Sequence, residues 1–452
     1  YACGISSYYN LPWVNGVLAI FFLALTSVLV VEGLGIKSKI GAVLTGGLLV
    51  TFPTISSTFC YIFTIDGYML AVFLATAAFL MTDRKKWGFA GGIVFLGISI
   101  GIYQAYLSFT IILCILRLLL DLIEKESLKD IFSKIWRYIV MGAGAYIFYV
   151  ITLKLMIKIK GVTLSGYQGT DKVGSFSLAD LPEGIVSAIK NFVNFLRWSN
   201  VLTTTGIMKY TLVFLLCVTI ILYIGLLICS KRSKKTVRIL LITVLVGAIP
   251  FGSNIVNILS PETFFHLLMR YSWVLFFVFS LAICEHIPWE EKKKCILWKK
   301  ALVLCICLCD TIFVLSFSVM ANVVAFNMNE RYEKTYATCL RIVDRIEQTE
   351  GYTTETKVAI LGGFPDAVSY PPTDITANDL VGYFGASGEL CVNSTQKYAE
   401  FMKHYMNVTI VTIPGEDEIR IAGTEAFAEM PKFPAEGSVG YIDDVLVIKL
   451  NG

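Results

Sequence analysis

The run Phe59–Lys86, "FCYIFTIDGYMLAVFLATAAFLMTDRKK", decides the architecture. From residue 65 to residue 82 it is apolar over about the length that carries an α-helix across a bilayer. Its charges stand at the two ends: Asp66 at one, and Asp83, Arg84, Lys85 and Lys86 at the other. Similar runs recur near 11–31, 40–58, 88–104, 106–122, 138–157, 208–229, 238–256, 270–286 and 301–322, which makes about ten spans. Composition agrees. Of the 452 residues 56% are hydrophobic and 16% charged, and mean hydropathy is +0.69, far from the soluble average. The chain therefore reads as an all-α polytopic membrane bundle.

Charge distribution sets the orientation. Lys and Arg collect in alternate short connections: Lys37 and Lys39; Arg84 to Lys86; Lys125, Lys129, Lys134 and Arg137; Lys231 to Lys235; Lys292 to Lys300. The connections at 59–64 and near 104–106 contain neither. By the positive-inside rule the basic loops are cytoplasmic, so Tyr1 and the tail after Ala321 are expected outside. Basic runs also suit anionic lipid or nucleic acid. Their alternation follows topology instead, and no nucleic-acid partner is expected. The opening "YACGISSYYNLPW" resembles neither a signal peptide nor a cytoplasmic start, which leads to the expectation of a fragment lacking at least one upstream span. The twelve Cys form no metal-type CxxC pair. "CICLC" (305–309) packs most simply as small hydrophobes, while Cys339 and Cys391 in the tail are a weak candidate for pairing.

Two regions stand apart from the spans in a division 1–325 and 326–452. Residues 159–206 form a long outer insertion. Its first half is rich in Gly and Ser; its second opens with Asp180, Pro182 and Glu183, a cap, a first-turn proline and an early carboxylate. Ile185, Val186, Ile189, Phe192, Val193 and Leu196 then repeat at helical spacing, which suits either the membrane interface or packing onto the bundle. The tail 326–452 is soluble in character. A helix over 329–348, strands at "KVAIL" and "VTIVTI", a helix at "QKYAEFMKHY" and a last strand at "DDVLVIKL" predict a small extracytoplasmic α/β or α+β domain. "LGGFPDA" has neither a Walker spacing nor a dinucleotide fingerprint.

Ionisable residues near a bilayer are expensive, so the few on the outer side are the candidates. Asp66 stands where its span begins. Tyr103, Gln104 and Tyr106 stand where the chain turns in "GIYQAYLSF". In "SPETFFHLLMRYSW" (260–273), Glu262, His266 and Arg270 are spaced four apart and would share one helical face. Together they predict a polar, aromatic-rimmed hollow. Each has a plainer reading: Asp66 as a helix cap, the tyrosines as an aromatic belt, His266 as a packing residue, Arg270 as a cation reaching for headgroups. Arg270 is the hardest to dismiss, because a guanidinium fits a phosphate with two prongs. Asp310, inside the last span, calls for a polar partner that the sequence does not name. A carboxylate, a cation and aromatic rings suit sugar transfer from a lipid-linked phosphate, and they also suit a transporter.

"YYNLPWVNGVLAIFFLALTSVLVV", "FPTISSTFCYIFTIDGYMLAVFLATAAFLM" and "SIGIYQAYLSF", with the ending "FAEMPKFPAEGSVGYIDDVLVIKL", resemble the Gtr-type bacterial glucosyltransferases known from O-antigen modification. The resemblance implies a membrane glycosyltransferase of the GT-C type. It would move a hexose, usually glucose, from a polyprenyl-phosphate donor to an envelope polysaccharide or lipid-linked glycan outside the bacterial cell membrane. Such enzymes carry an essential acid in their first outer loop. That loop would precede Tyr1, which leaves Asp66 an assisting acid or base. Arg270 and His266 would then bind the donor phosphate, and Tyr103, Gln104, Tyr106 and Glu262 the substrate. No organic cofactor is implied. Metal dependence stays open, because Asp66 and Glu262 lack a ligand-rich spacing such as HExxH. The rivals are a lipid-linked sugar flippase or transporter, an envelope glycan polymerase and a non-catalytic scaffold. No internal repeat favours transport.

Overall fold

The computed structural model describes residues 11–124, 127–161, 181–198, 201–203, 206–229, 235–259, 266–287, 293–363 and 390–450. Glu262, Asp180 and the Gly/Ser-rich run 162–180 lie outside the described residues. The chain divides into two compact units, 1–321 and 322–452.

The first unit is helical. In order come α1 (Pro12–Leu34), α2 (Lys39–Thr51), α3 (Pro53–Phe59), α4 (Ile65–Arg84), α5 (Gly88–Ile102), α6 (Leu107–Glu124) and α7 (Leu128–Lys160). They are followed by α8 (Leu181–Trp198), α9 (Gly206–Cys229), α10 (Lys235–Ser253), α11 (Ile255–Leu259), α12 (Val274–Cys284) and α13 (Lys293–Glu347). Among the described residues eight helices are long and apolar enough to cross a membrane, and α2 with α3 makes a ninth if the pair is one span. That pair is bent by 43°. Pro53 is the cause: the residue before a proline is driven out of the helical region, and Phe52 sits at ψ 137. Helix α5 has 15 residues, about 22 Å, short for a full crossing.

Small residues let these helices approach closely, the usual route to association where lipid removes the hydrophobic drive. Helix α4 packs against α1, α5 and α6 through Ala71, Ala75 and Ala78. The Ser99 hydroxyl donates to the Ala71 carbonyl (2.8 Å), and Thr110 to that of Ala75 (3.1 Å). A Cβ on Gly97 would stand 2.4 Å from the Phe148 ring, so the α5–α7 contact depends on its absence. Asp310 finds its partner in Ser280 of α12, whose hydroxyl donates at 2.9 Å.

Lys134 and Arg137 are not loop residues. Helix α7 begins ten residues before the expected 138, and Lys134 is buried between Asp83 (2.6 Å) and Asp121 (2.5 Å). Arg117 pairs with Asp121 (2.7 Å) and Glu124, Glu124 meets His286, and the Tyr138 hydroxyl donates to Asp83. Arg137 caps the end of α4 by donating to the Thr82 and Lys85 carbonyls (2.8 and 2.9 Å). Their mutual neutralisation is what lets these charges continue the helix into the bundle.

In the second unit, described by itself, β1 (Lys357–Leu361), β2 (Val411–Thr412), β3 (Val439–Ile442) and β4 (Val445–Lys449) form one sheet in the order β2-β1-β4-β3. Strand β1 runs parallel to β2 and β4, and β3–β4 is an antiparallel hairpin. Its two-residue turn, Asp443-Asp444, has positive φ at both positions (48° and 60°), the geometry that matches strand twist. One core holds Ile342 and Ile346 of α13 with Val358 and Ile360; the other holds Ala359, Ile421 and Val447. The strand pattern alone gave three of these strands and missed β3. Cys339 and Cys391 are free thiols.

Candidate functional site

Three short breaks in the helices meet at one end of the bundle. The 3₁₀ segment 104–106, between α5 and α6, packs against the 3₁₀ segment 267–273 and against the start of α4. The latter segment also packs against α3. Asn15 of α1 joins them, its side-chain amide donating to the Ile62 carbonyl (3.2 Å). The basic connections lie at the opposite ends of the same helices.

Asp66 sits in the first turn of α4 and is only 2% exposed. Neither carboxylate oxygen has a hydrogen-bond partner among the described residues. It is not the cap, since Thr64 holds that position. The Tyr103 ring stacks on Tyr68 at 4.6 Å and meets Tyr106 edge-on at 5.3 Å. Tyr106 is buried, and its hydroxyl also lacks a partner among the described residues. Gln104 donates to the Tyr149 hydroxyl at 3.0 Å. The predicted aromatic rim is thus a packed cluster around two unmet polar groups.

More unmet groups belong to the same end. Thr54 Oγ1, Ser272 Oγ and Trp273 Nε1 are buried without a partner among the described residues, as are the side-chain carbonyls of Asn15, Asn254 and Asn257. A buried polar atom without a hydrogen bond costs about 1–3 kcal/mol, so such a group of them marks a candidate site. Charge was the filter that found Asp66. Neutral Asn, Thr, Ser and Trp are cheap in an apolar helix, and no sequence signal short of the assembled bundle marks them.

His266 and Arg270 do not share one α-helical face. His266 is extended (ψ 158) at the start of the 267–273 segment, and the segment is itself kinked at Arg270 (φ -96, ψ 20). Burial pushes the His266 imidazole below its ordinary range. Arg270 faces α8. Its guanidinium lies over the Phe195 ring at 4.6 Å and donates to the Asn191 carbonyl (3.4 Å). Trp273 stacks on Phe192 at 4.6 Å and meets Phe195 edge-on at 4.9 Å. Helix α8 also touches α11, where a Cβ on Gly184 would lie 3.0 Å from the Ile258 Cα, and Asn257 donates to the Ser187 hydroxyl (3.3 Å). Its remaining surface splits in two. Val186, Ile189, Val193 and Leu196 form an exposed apolar stripe, and Glu183, Lys190, Asn194 and Arg197 a polar one. One face of this helix therefore packs on the bundle, as one of the two alternatives expected, and an apolar stripe is left exposed.

No three His, Cys, Asp or Glu side chains among the described residues stand close enough to hold a metal. A concentration of hydroxyl, amide and carboxylate groups with aromatic faces is suited to a polyhydroxylated ligand. The family model of the glucosyl transferase GtrII matches residues 3–281, more than half of the chain. The chain belongs to this family. No curated protein and no solved structure matches it. Membership in GtrII supports a glucosyltransferase role, and every described group of the site falls within the matched residues.

Proposed function

We propose that this multi-pass membrane protein moves a hexose, glucose by family, from a polyprenyl-phosphate donor to an envelope polysaccharide or lipid-linked glycan. Transfer would take place on the extracytoplasmic side of the bacterial cell membrane, where the second unit also lies. The observation that carries the reading is the cluster of unmet buried polar groups around Asp66, Tyr106 and Trp273 at the end away from the basic connections. An acceptor hydroxyl attacks the anomeric carbon, the bond from that carbon to the phosphate oxygen breaks, and polyprenyl phosphate leaves with the electron pair. Asp66 assists by taking the acceptor's proton. Arg270 and His266 bind the donor phosphate, while Tyr103, Gln104, Tyr106 and Glu262 contact the sugar.

Membrane vesicles supplied with labelled polyprenyl-phosphate glucose test this. The wild type should place label in glycan, while Asp66→Asn and Arg270→Ala should not, at unchanged membrane abundance. Lys is a poor replacement for Arg270 if the phosphate contact is two-pronged. Label that crosses the membrane without a new glycosidic bond would identify a flippase. Label in longer chains instead of side branches would identify a polymerase.

A further inference from the structure

Helices α6 and α7 follow one another in the chain, and polar contacts tie α7 to the 104–106 segment that leads into α6 at one end and to α6 itself at the other. At the Asp66 end Gln104 donates to Tyr149; at the other end Lys134 of α7 pairs with Asp121 of α6. Between the ties they part. A cavity of about 270 Å³ opens there, with Leu107, Ile111 and Leu118 on the α6 wall and Ile135, Ile139 and Gly142 on the α7 wall. Leu96 of α5 forms its floor. The two polar side chains in the lining are turned to other partners, Thr110 to the Ala75 carbonyl and Tyr138 to Asp83. What remains is hydrocarbon. From Leu107 to Leu118 the groove follows α6 for about 16 Å.

We propose that this groove holds the isoprenoid chain of the donor lipid, with its phosphate and sugar at the Asp66 end. The inference rests on the polyprenyl-phosphate reading above. The argument for that occupant over a bilayer acyl chain is continuity. The groove begins at Leu107, the residue after the 104–106 segment, so a chain lying in it delivers its headgroup to Tyr103, Gln104 and Tyr106. Its outer lip is accessible from the side, since Ile139 is 56% exposed. Gly142 stands in its lining, and a Cβ there would meet nothing within 4 Å, so there is open space for a side chain at this position.

The test uses the full chain in lipid nanodiscs with two donors, a long-chain polyprenyl-phosphate glucose and its geranyl-length analogue. The series Gly142→Ala, Gly142→Leu and Gly142→Phe should raise KM for the long-chain donor progressively. With Phe the rise is roughly tenfold, the loss of about two buried methylene contacts. KM for the geranyl donor should stay unchanged. Ile147→Phe, on the exposed surface of the same helix, should alter neither. Should the Phe variant fail to fold, a polyprenyl phosphate carrying a diazirine in its chain should label the wild type around Ile139 and Gly142, and unlabelled donor should compete it away. Equal effects on both donors, or labelling that bulk phospholipid competes as well, would mean that the groove takes a bilayer lipid only and would overturn the proposal. A wild type that uses neither donor would instead refute the donor reading itself, and the groove assignment with it.

Discussion

Asp66 offers a test in which stability and activity should move in opposite directions. A residue kept for helix formation is destabilising to lose. One kept for chemistry against its surroundings is stabilising to lose. The carboxylate is 2% exposed with both oxygens unbonded among the described residues. Leaving such a group buried costs about 1–3 kcal/mol. Its place in the first turn of α4 returns part of this, since a negative charge near a helix N-terminus gains about 0.3–1 kcal/mol. The difference favours Asp66→Leu, which fills similar space with hydrocarbon, by about 1–2 kcal/mol. Unfolding in mixed detergent micelles with a graded denaturing detergent should therefore show the variant more resistant than wild type. In vesicles its sugar transfer should be lost. Asp66→Asn, which keeps shape and polarity but cannot take a proton, should match wild type more closely in stability and the Leu variant in activity. If both variants unfold more easily and still transfer sugar, Asp66 is a helix-start residue and has no part in the chemistry.

Three further outcomes follow from the geometry. Lys134→Met leaves Asp83 without its buried cation and should destabilise the first unit by about 3–5 kcal/mol in the same unfolding assay. Arg84→Ala, which breaks a 3.3 Å bridge to Glu32 that is about half exposed on each side, should change it by less than about 1 kcal/mol. Gly184→Val drives a side chain into the backbone of α11 and should lower transfer and expose α8 to protease, while Gly206→Ala, with open space around it, should do neither. His266→Gln preserves a hydrogen-bonding side chain and should retain most transfer. Its complete loss would point to an imidazolium role.

The helical plan was legible because one physical quantity dominates it. A bilayer admits only long apolar helices, and the ten expected spans fall on helical segments. Of these, eight, or nine with the bent α2–α3 pair, are long and apolar enough to cross among the described residues. Where backbone chemistry intervenes, the plan needed amendment. Pro53 breaks the second span, and the turn at 267–273 separates His266 from the face of Arg270. The site was legible through its charges and through the polar, aromatic turn at 103–106. Asp66 and the 104–106 turn belong together at one end of the bundle, as sidedness predicts. The guanidinium of Arg270, however, rests on an aromatic ring of α8 that lies far away in sequence. Lys134 shows the reverse error. Read as a loop cation, it is a buried partner of two carboxylates, and nothing local reveals this because the carboxylates come from α4 and α6.

The same helices thus carry opposite kinds of polarity at their two ends. Near the basic connections, Asp83, Asp121, Glu124, Arg117, Lys134 and His286 satisfy one another, and the cost of burying them is offset by their pairing. At the other end, Asp66, Tyr106, Thr54, Ser272 and Trp273 are buried with bonding capacity unused among the described residues. A bundle selected for stability alone would fill those positions with hydrocarbon, which α4 and α6 have in abundance. The paired end holds the helices in register without help. On the proposed function, a ligand rich in hydroxyls and phosphate oxygens would supply the missing partners at the unpaired end.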